Sequence, residues 1–283
     1  GNATMTGNIA IGANALNSTS TSNQVGTIAI GYEALTAANS VDTQGSVAIG
    51  YQAGAKITEG VANVLIGQNV GHQGTYGLTT GDQNTAIGHM ALGGNAGADG
   101  GTVNNNVCVG WHAGYVMQGA SSDNVLVGSY SGQAISTGTK NTLIGKYAGS
   151  ELNHTDADGT VAIGFEAGKS VTEGEQNIAI GYQALTSPTT GSDNCIAIGW
   201  QSQGGNQTTA VNNNNVSIGN FTMDANMTGA VDNVAVGKSS MSGLISGDFN
   251  VCVGSASGQL LTTGSNNNIF GFAAGDALTT SNN

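Results

Sequence analysis

The chain has 283 residues, of which 39% are apolar, only 8% are charged and 47 are glycine, a balance unlike that of an ordinary globular enzyme. Its formal charge of −12 sets 17 acidic side chains against five lysines and no arginine, so no basic track exists for nucleic-acid phosphates or an anionic membrane surface. No apolar run approaches the ~20 residues of a spanning helix and no signal-peptide pattern opens the sequence, so membrane insertion is not expected of this segment, and any export or assembly signal is expected to lie outside it.

Read from the N-terminus, a five-residue phrase appears at Asn8-Ile9-Ala10-Ile11-Gly12 and then keeps returning. Asn63-Val64-Leu65-Ile66-Gly67, Asn177-Ile178-Ala179-Ile180-Gly181 and Asn250-Val251-Cys252-Val253-Gly254 are later copies. There are fifteen in all, closing at Gly12, Gly31, Gly50, Gly67, Gly88, Gly110, Gly128, Gly145, Gly164, Gly181, Gly199, Gly219, Gly237, Gly254 and Gly271, at steps of 17 to 22 residues. A fixed phrase at that period marks a solenoid in which each repeat stacks on the next. The expectation is an all-β, parallel β-roll of about fifteen coils, forming one repeat domain over 1–283 without separate caps.

Aligned on the closing glycine, the columns are chemically pure. The residue before the glycine is Ile or Val in fourteen copies, and the residue three before it is Ile, Val or Thr in fourteen. Between them stands Ala in eight copies, otherwise Leu, Cys, Ser or Ile. Such residues favour a pleated strand with successive side chains on opposite faces. Neither face is polar, yet a narrow solenoid buries only the inward one, so the outward face requires a partner. Another copy of the same chain around a common axis is the simplest.

Asn opens the phrase in eleven of fifteen copies, with Thr27, Ser46, Thr160 and Cys195 replacing it elsewhere. Stacked Asn side chains form a coil-to-coil hydrogen-bond ladder, a structural role that explains why so many copies are needed. The closing glycine is expected to turn the chain through a conformation other residues would strain. Three residues later the side chain is always small, nine times Ala, which predicts a tightly packed corner. Length variation falls between that corner and the next Asn, where Ile57-Thr58-Glu59-Gly60, Leu78-Thr79-Thr80-Gly81, Val171-Thr172-Glu173-Gly174 and Leu261-Thr262-Thr263-Gly264 each offer an apolar residue and then a turn. That edge is where solenoids carry variable loops.

The strings Ser46-Val47-Ala48-Ile49-Gly50, Thr160-Val161-Ala162-Ile163-Gly164 and Asn84-Thr85-Ala86-Ile87-Gly88 resemble the head repeats of trimeric autotransporter adhesins of the YadA type, a left-handed parallel β-roll. Asn177 to Leu185 is similar to repeats found in phage tail fibres. The resemblance covers Asn8 to about Asp276 and implies a homotrimer with the strand's second face at the three-fold axis. The coils here are longer and less even than those of adhesin heads, and the Thr-Thr-Gly turns look more like the fibre variety.

Seven copies carry an aromatic immediately after the glycine: Tyr32, Tyr51, Trp111, Phe165, Tyr182, Trp200 and Phe272. An outward-facing column would form a broken aromatic ladder able to stack on sugar rings with avidity; the alternative is that the rings only cover the coil corners. Asp156-Ala157-Asp158-Gly159 and the run Gly93-Gly94-Asn95-Ala96-Gly97-Ala98-Asp99-Gly100 look faintly like calcium loops, but neither repeats across neighbouring coils, so no metal site is expected. His72, His89, His112 and His154 are scattered, and His89 and His112 lie in different columns, so stacking is not expected to unite them. No nucleophilic triad or paired-carboxylate site can be assembled from the spacings. The sequons Asn17-Ser18-Thr19 and Asn153-His154-Thr155 are expected by chance in so Asn- and Thr-rich a chain. Cys108 and Cys252 fill the Ala slot of the strand, and all three cysteines are expected to be buried free thiols.

The functional expectation is a non-enzymatic, cofactor-free structural and adhesive fibre segment, extracellular, on a virion tail fibre that attaches to a host. Its expected partners are itself, as a homotrimer, and a host or cell-surface glycan or protein. A bacterial trimeric surface adhesin is the alternative of the same class, and an ice- or glycan-binding solenoid the alternative of another.

Overall fold

A computed structural model describes residues 5–17, 24–38, 43–71, 80–93, 103–117, 119–153, 157–186, 192–205 and 211–282. His72, His154, Asp156, Leu78, Thr79, Ser18, Thr19, Thr155 and the run from Gly94 to Gly100 lie outside the described residues. The chain divides into two compact units, Gly1–Asn141 and Thr142–Asn283.

Each unit is a stack of three-residue parallel strands, one per copy of the phrase. In the first, β2 (Ile9–Ile11), β4 (Ile28–Ile30), β5 (Val47–Ile49), β6 (Val64–Ile66), β7 (Thr85–Ile87), β8 (Val107–Val109) and β9 (Val125–Val127) pair in sequence order. Two residues each of β1 (Met5–Thr6) and β3 (Gln24–Val25) make a second, smaller parallel pair. The second unit stacks β10 (Thr142–Ile144), β11 (Val161–Ile163), β12 (Ile178–Ile180), β13 (Ile196–Ile198), β14 (Val216–Ile218), β15 (Val234–Val236), β16 (Val251–Val253) and β17 (Asn268–Phe270) in the same way. There is no helix among the described residues, hence none long and apolar enough to cross a membrane. The fold is an all-β parallel β-solenoid, as the period of the phrase requires.

Register is what the column alignment dictates. Ile28, Ala29 and Ile30 lie opposite Val47, Ala48 and Ile49, and Ile178, Ala179 and Ile180 opposite Ile196, Ala197 and Ile198. The central residue points inward and is fully buried in β4 to β16, whether Ala48, Leu65, Cys108 or Ser217. The two flanking side chains, mostly Ile or Val, point the other way and are only partly buried: Ile87 and Ile218 each show 38% of their surface. In β2 all three residues are exposed. The largely apolar outer face anticipated from the alternation is therefore present along both units, broken at Thr85, Thr142 and Asn268, and among the described residues its Ile and Val side chains stay partly exposed.

Three further columns complete the interior. The small residue three after the glycine is buried from Ala34 to Ser257, and the apolar residue that opens each variable segment is also inside, as with Ile57, Val171 and Leu261. Between them lies a position the sequence reading did not single out, four after the glycine, where the chain alternates between two packings. Leu35 fills the space itself and is followed three residues on by Ala38; Gly54 leaves it to Ile57, and Gly132 to Ile135. A Cβ on Gly54 would stand 2.8 Å from Leu65 Cδ1, and one on Gly132 would stand 2.8 Å from Ile135 Cδ1. The core thus conserves volume coil by coil rather than residue by residue.

The closing glycines have φ between 124° and 139°, as expected of the turn. Glycine does not carry the turning alone: many other residues adopt left-handed φ between 46° and 64°. In the coil around Gly181 these are Gln176, Gln183 and Leu185. Each such residue costs roughly 1–2 kcal/mol. The return is backbone pairing between coils: Gln176 N–H donates to Asp158 O, Gln183 N–H to Phe165 O and Leu185 N–H to Ser202 O, all at 2.9 Å. A strand of three residues cannot satisfy the backbone of a whole coil, so the turns do it instead.

Candidate functional site

The polar columns are structural. Asn63 Oδ1 accepts from both the backbone N–H and Nδ2 of Asn84, at 2.9 and 3.1 Å, and Asn63 Nδ2 donates to Gly81 O at 2.6 Å. The same rung repeats from Asn215 through Asn233 and Asn250 to Asn267. Ser46 reproduces it with a hydroxyl, donating to Gly60 O and accepting from Asn63 N–H, both at 3.2 Å. Cys195 also keeps the rung: its N–H donates to Asn177 Oδ1 at 2.9 Å and its thiol lies 2.9 Å from Asn212 O. These side chains are buried and bonded to their neighbours, with only Asn267 Oδ1, at the last rung, left without a partner.

A second ladder, two residues earlier in the coil, was not recognised in the sequence. Asp82 Oδ1 accepts from Val61 N–H and Asn104 Oδ1 from Asp82 N–H, each at 2.8 Å. Asp193, Asn213, Asp248 and Ser265 do likewise in the second unit. The recurrence of Asp, Asn and Ser six residues before the closing glycine is the signal that would have found it. It absorbs several of the acids that give the chain its charge, Asp82, Asp193 and Asp248 among them.

All three cysteines are free and buried. Burial pushes the Cys195 thiol up to about 11 and the Cys252 thiol up to about 12, and raises Cys108 further still. Among the described residues no group of three or more His, Cys, Asp or Glu side chains is placed to hold a metal ion.

What the chain presents outward is aromatic. Tyr32, Tyr51, Trp111, Phe165, Tyr182, Trp200 and Phe272 are all exposed. Within the first unit Tyr32 and Tyr51 stack with ring centroids 5.3 Å apart and planes 14° from parallel; within the second, Phe165 and Tyr182 stack at 5.3 Å and 13°. Phe272, at the end of the second unit, is the most exposed of the seven. The next residue in each coil contributes a parallel column that was not anticipated, including His112, Tyr130, Tyr147 and Phe221. Tyr147 meets Phe165 edge-on at 6.5 Å, and the ammonium groups of Lys146 and Lys169 lie 5.0 and 5.6 Å from its ring.

Polar members of this second column form chains beside the rings. Gln52 Nε2 donates to Glu33 Oε2 at 2.7 Å beside the Tyr32–Tyr51 stack, and Gln183 Nε2 donates to Glu166 Oε2 at 2.7 Å beside Phe165 and Tyr182. The bond from Gln183 and then Lys169, 3.2 Å away, hold the Glu166 carboxyl below its ordinary range against a smaller opposing effect of burial. Hydrogen bonding to Glu33 raises the Tyr32 phenol.

One expectation is corrected. His89 and His112, although in different columns, stack with centroids 5.9 Å apart and planes 17° from parallel. The column shift is only one residue, and an imidazole spans it. His112 also lies flat on Tyr115 at 4.4 Å, and Trp111 Nε1–H donates to His89 Nδ1 at 3.1 Å. Burial first, then the neighbouring His89, lowers the His112 pKa.

Stacked strands, saturated polar ladders and an exposed aromatic band define a parallel β-solenoid repeat protein whose distinctive chemistry lies on its outer corner. No protein-family model matches the chain, and no curated protein matches its sequence.

Proposed function

We propose that the chain is a non-enzymatic structural and adhesive fibre segment that assembles as a homotrimer and extends an attachment surface outside the cell or virion. The phage tail-fibre repeats it resembles supply the setting, with a bacterial surface adhesin the related alternative. The observation that supports self-assembly is the outer sheet face from β11 to β16, where paired columns of Ile and Val, such as Val161 and Ile163 followed by Ile178 and Ile180, lie side by side without a polar residue among them. An uninterrupted apolar strip of this kind is an interface left uncovered in the single chain. The exposed aromatic band then serves as the contact surface for a host or cell-surface glycan or protein.

Light scattering and sedimentation equilibrium test the assembly: a particle of three times the 27.9 kDa chain mass is expected. Ile163→Glu together with Ile180→Glu should convert it to smaller species. A monodisperse wild-type monomer would overturn the reading. Attachment is tested by retention of the labelled protein on a panel of bacterial cells.

A further inference from the structure

We propose that the two tryptophans, each tilted against an aromatic ring of the following coil, form matched binding clefts for the apolar face of a neutral pyranose sugar. This rests on the attachment reading above and narrows it from the whole aromatic column to two places, one in each unit.

The column is not uniform. In the stacked pairs Tyr32–Tyr51 and Phe165–Tyr182 the planes are 14° and 13° from parallel, so each ring covers a face of its neighbour. A sugar stacks on a ring face rather than an edge, where C–H groups meet the negative π-cloud. Trp111 and Trp200 behave differently. Trp111 leans on Tyr130 at 4.9 Å and 55°, and Trp200 on Phe221 at 4.8 Å and 51°. Each pair is splayed with the indole as one wall, His112 meeting both rings of the first edge-on at 5.0 and 5.3 Å, and the two tryptophans keep 48% and 49% of their surface exposed.

The coincidence has a cause in the sequence. The coil after each tryptophan lacks an aromatic directly after its glycine, having Ser129 in one case and Asn220 in the other, and carries the ring one residue later instead. With no ring opposite in the following coil, the indole leans towards the displaced one, and Trp200 meets Tyr182 of the preceding coil edge-on. The same geometry thus arises twice among unrelated neighbours: His89 and His112 flank Trp111, whereas Tyr182 and Asn220 flank Trp200.

The polar surroundings select the ligand class. Beside Trp200, Asn220 Oδ1 accepts from the Trp200 backbone N–H at 3.0 Å and Gln201 Nε2 donates to Gln183 Oε1 at 3.0 Å, so Asn220 Nδ2 and Gln201 Oε1 remain for sugar hydroxyls. Neutral amides beside a ring suit a neutral sugar, and the chain's net charge of −12 opposes uronic and sialic acids. Two clefts on one polypeptide raise the avidity for a repeating glycan over that of either alone.

The chain contains two tryptophans and no others, so its indole fluorescence reports these clefts alone. The intact protein is titrated with neutral oligosaccharides of glucose, galactose, mannose and N-acetylglucosamine, with polygalacturonate and polysialic acid as charged comparators, and acrylamide quenching is followed. Quenching should fall at least about twofold with a neutral member and not with the charged ones. Trp111→Ala and Trp200→Ala should each weaken the binding of that saccharide roughly tenfold, Trp111→Phe and Trp200→Phe should each leave one responding indole, and Leu260→Ala, an exposed apolar residue outside the column, should bind as wild type.

Indoles already shielded from acrylamide without sugar would overturn the proposal, since another protomer would then occupy the clefts. So would unchanged quenching across the neutral panel. Retention on cells separates the two readings. A folded double Trp→Ala variant that adheres as well as wild type sinks the clefts and leaves attachment standing, whereas wild type that adheres to no cell sinks attachment itself.

Discussion

Asn84 Oδ1 accepts from the backbone N–H and the Nδ2 of Asn106 at once, at 3.0 and 3.2 Å, although the two residues are 22 positions apart. Asn106 repeats the gesture towards Asn124 and in addition donates to Ser121 O at 3.1 Å. Every group involved is fully buried, so each rung is both a hydrogen-bond partner and the only alternative to an unsatisfied polar atom in the interior.

Asn106→Ala should therefore cost about 2 kcal/mol, because it strands the buried Asn124 N–H and removes one bond each from Asn124 Nδ2, which keeps Gly138 O, and from Ser121 O, which keeps the Asn104 N–H. Asn106→Ser should recover part of that loss, since Ser46 already fills the same column with a hydroxyl that donates and accepts. Chemical denaturation of the three proteins, compared at the midpoint, checks the order wild type, Ser, Ala. Equal midpoints for Ala and wild type would remove the ladder from the account of stability.

Glycines of the two columns should respond in opposite ways. Gly110 has φ 135° and an added Cβ would stand 2.6 Å from the Gly128 carbonyl oxygen, a backbone atom that cannot move aside, so Gly110→Ala should cost at least about 3 kcal/mol. Gly45 has φ 69° with nothing within 4 Å of such a Cβ. Asn105 and Asn214 occupy the equivalent place in their coils at φ 57° and 59°, so Gly45→Asn should change stability by less than about 0.5 kcal/mol. Thermal melts of both variants distinguish the conformational need from mere composition.

The thiols should be silent in the native state. With Cys195 raised to about 11, Cys252 to about 12 and Cys108 beyond that, a thiolate-specific reagent at pH 8 should label none of the three until the chain is denatured, when all three react. Linkage fixes the sign of the pH effect. The unfolded thiols lose their protons near the ordinary value of 9.0 while the folded ones retain theirs, so stability should decline as pH rises above about 9. A flat stability curve from pH 8 to pH 10.5 in a variant with all three cysteines replaced by alanine or serine, against a falling one in wild type, is the expected contrast.

Acid should act through the histidine stack. His112 is held neutral in the fold by burial and by His89, so the unfolded chain takes up the proton first and the stability it contributes should fall as pH drops below the ordinary value of 6.5. His112 meets the Trp111 indole edge-on at 5.0 Å, so a charge on its imidazole acts on that ring. The fluorescence of a Trp200→Phe variant, which reports Trp111 alone, should therefore change between pH 7.5 and pH 5, while that of Trp111→Phe should not.

Sequence by itself determined the coil boundaries, the parallel register, the inward and outward columns of each strand and the Asn ladder. It could do so because a solenoid's spatial neighbours are the same column one repeat away, and a repeating phrase displays that neighbour relation directly. The tertiary structure alone decided how ordinary residues such as Gln183 and Leu185 share the turning with Gly181, how Gly54 yields its space to Ile57 and which aromatic rings lie flat or open. Those outcomes depend on two columns and two coils at once: the orientation of Trp200 follows from Asn220 and Phe221, and His89 reaches His112 across a shift of one residue. A single column carries no record of such diagonal contacts, because they are settled by side-chain shape in the packed stack.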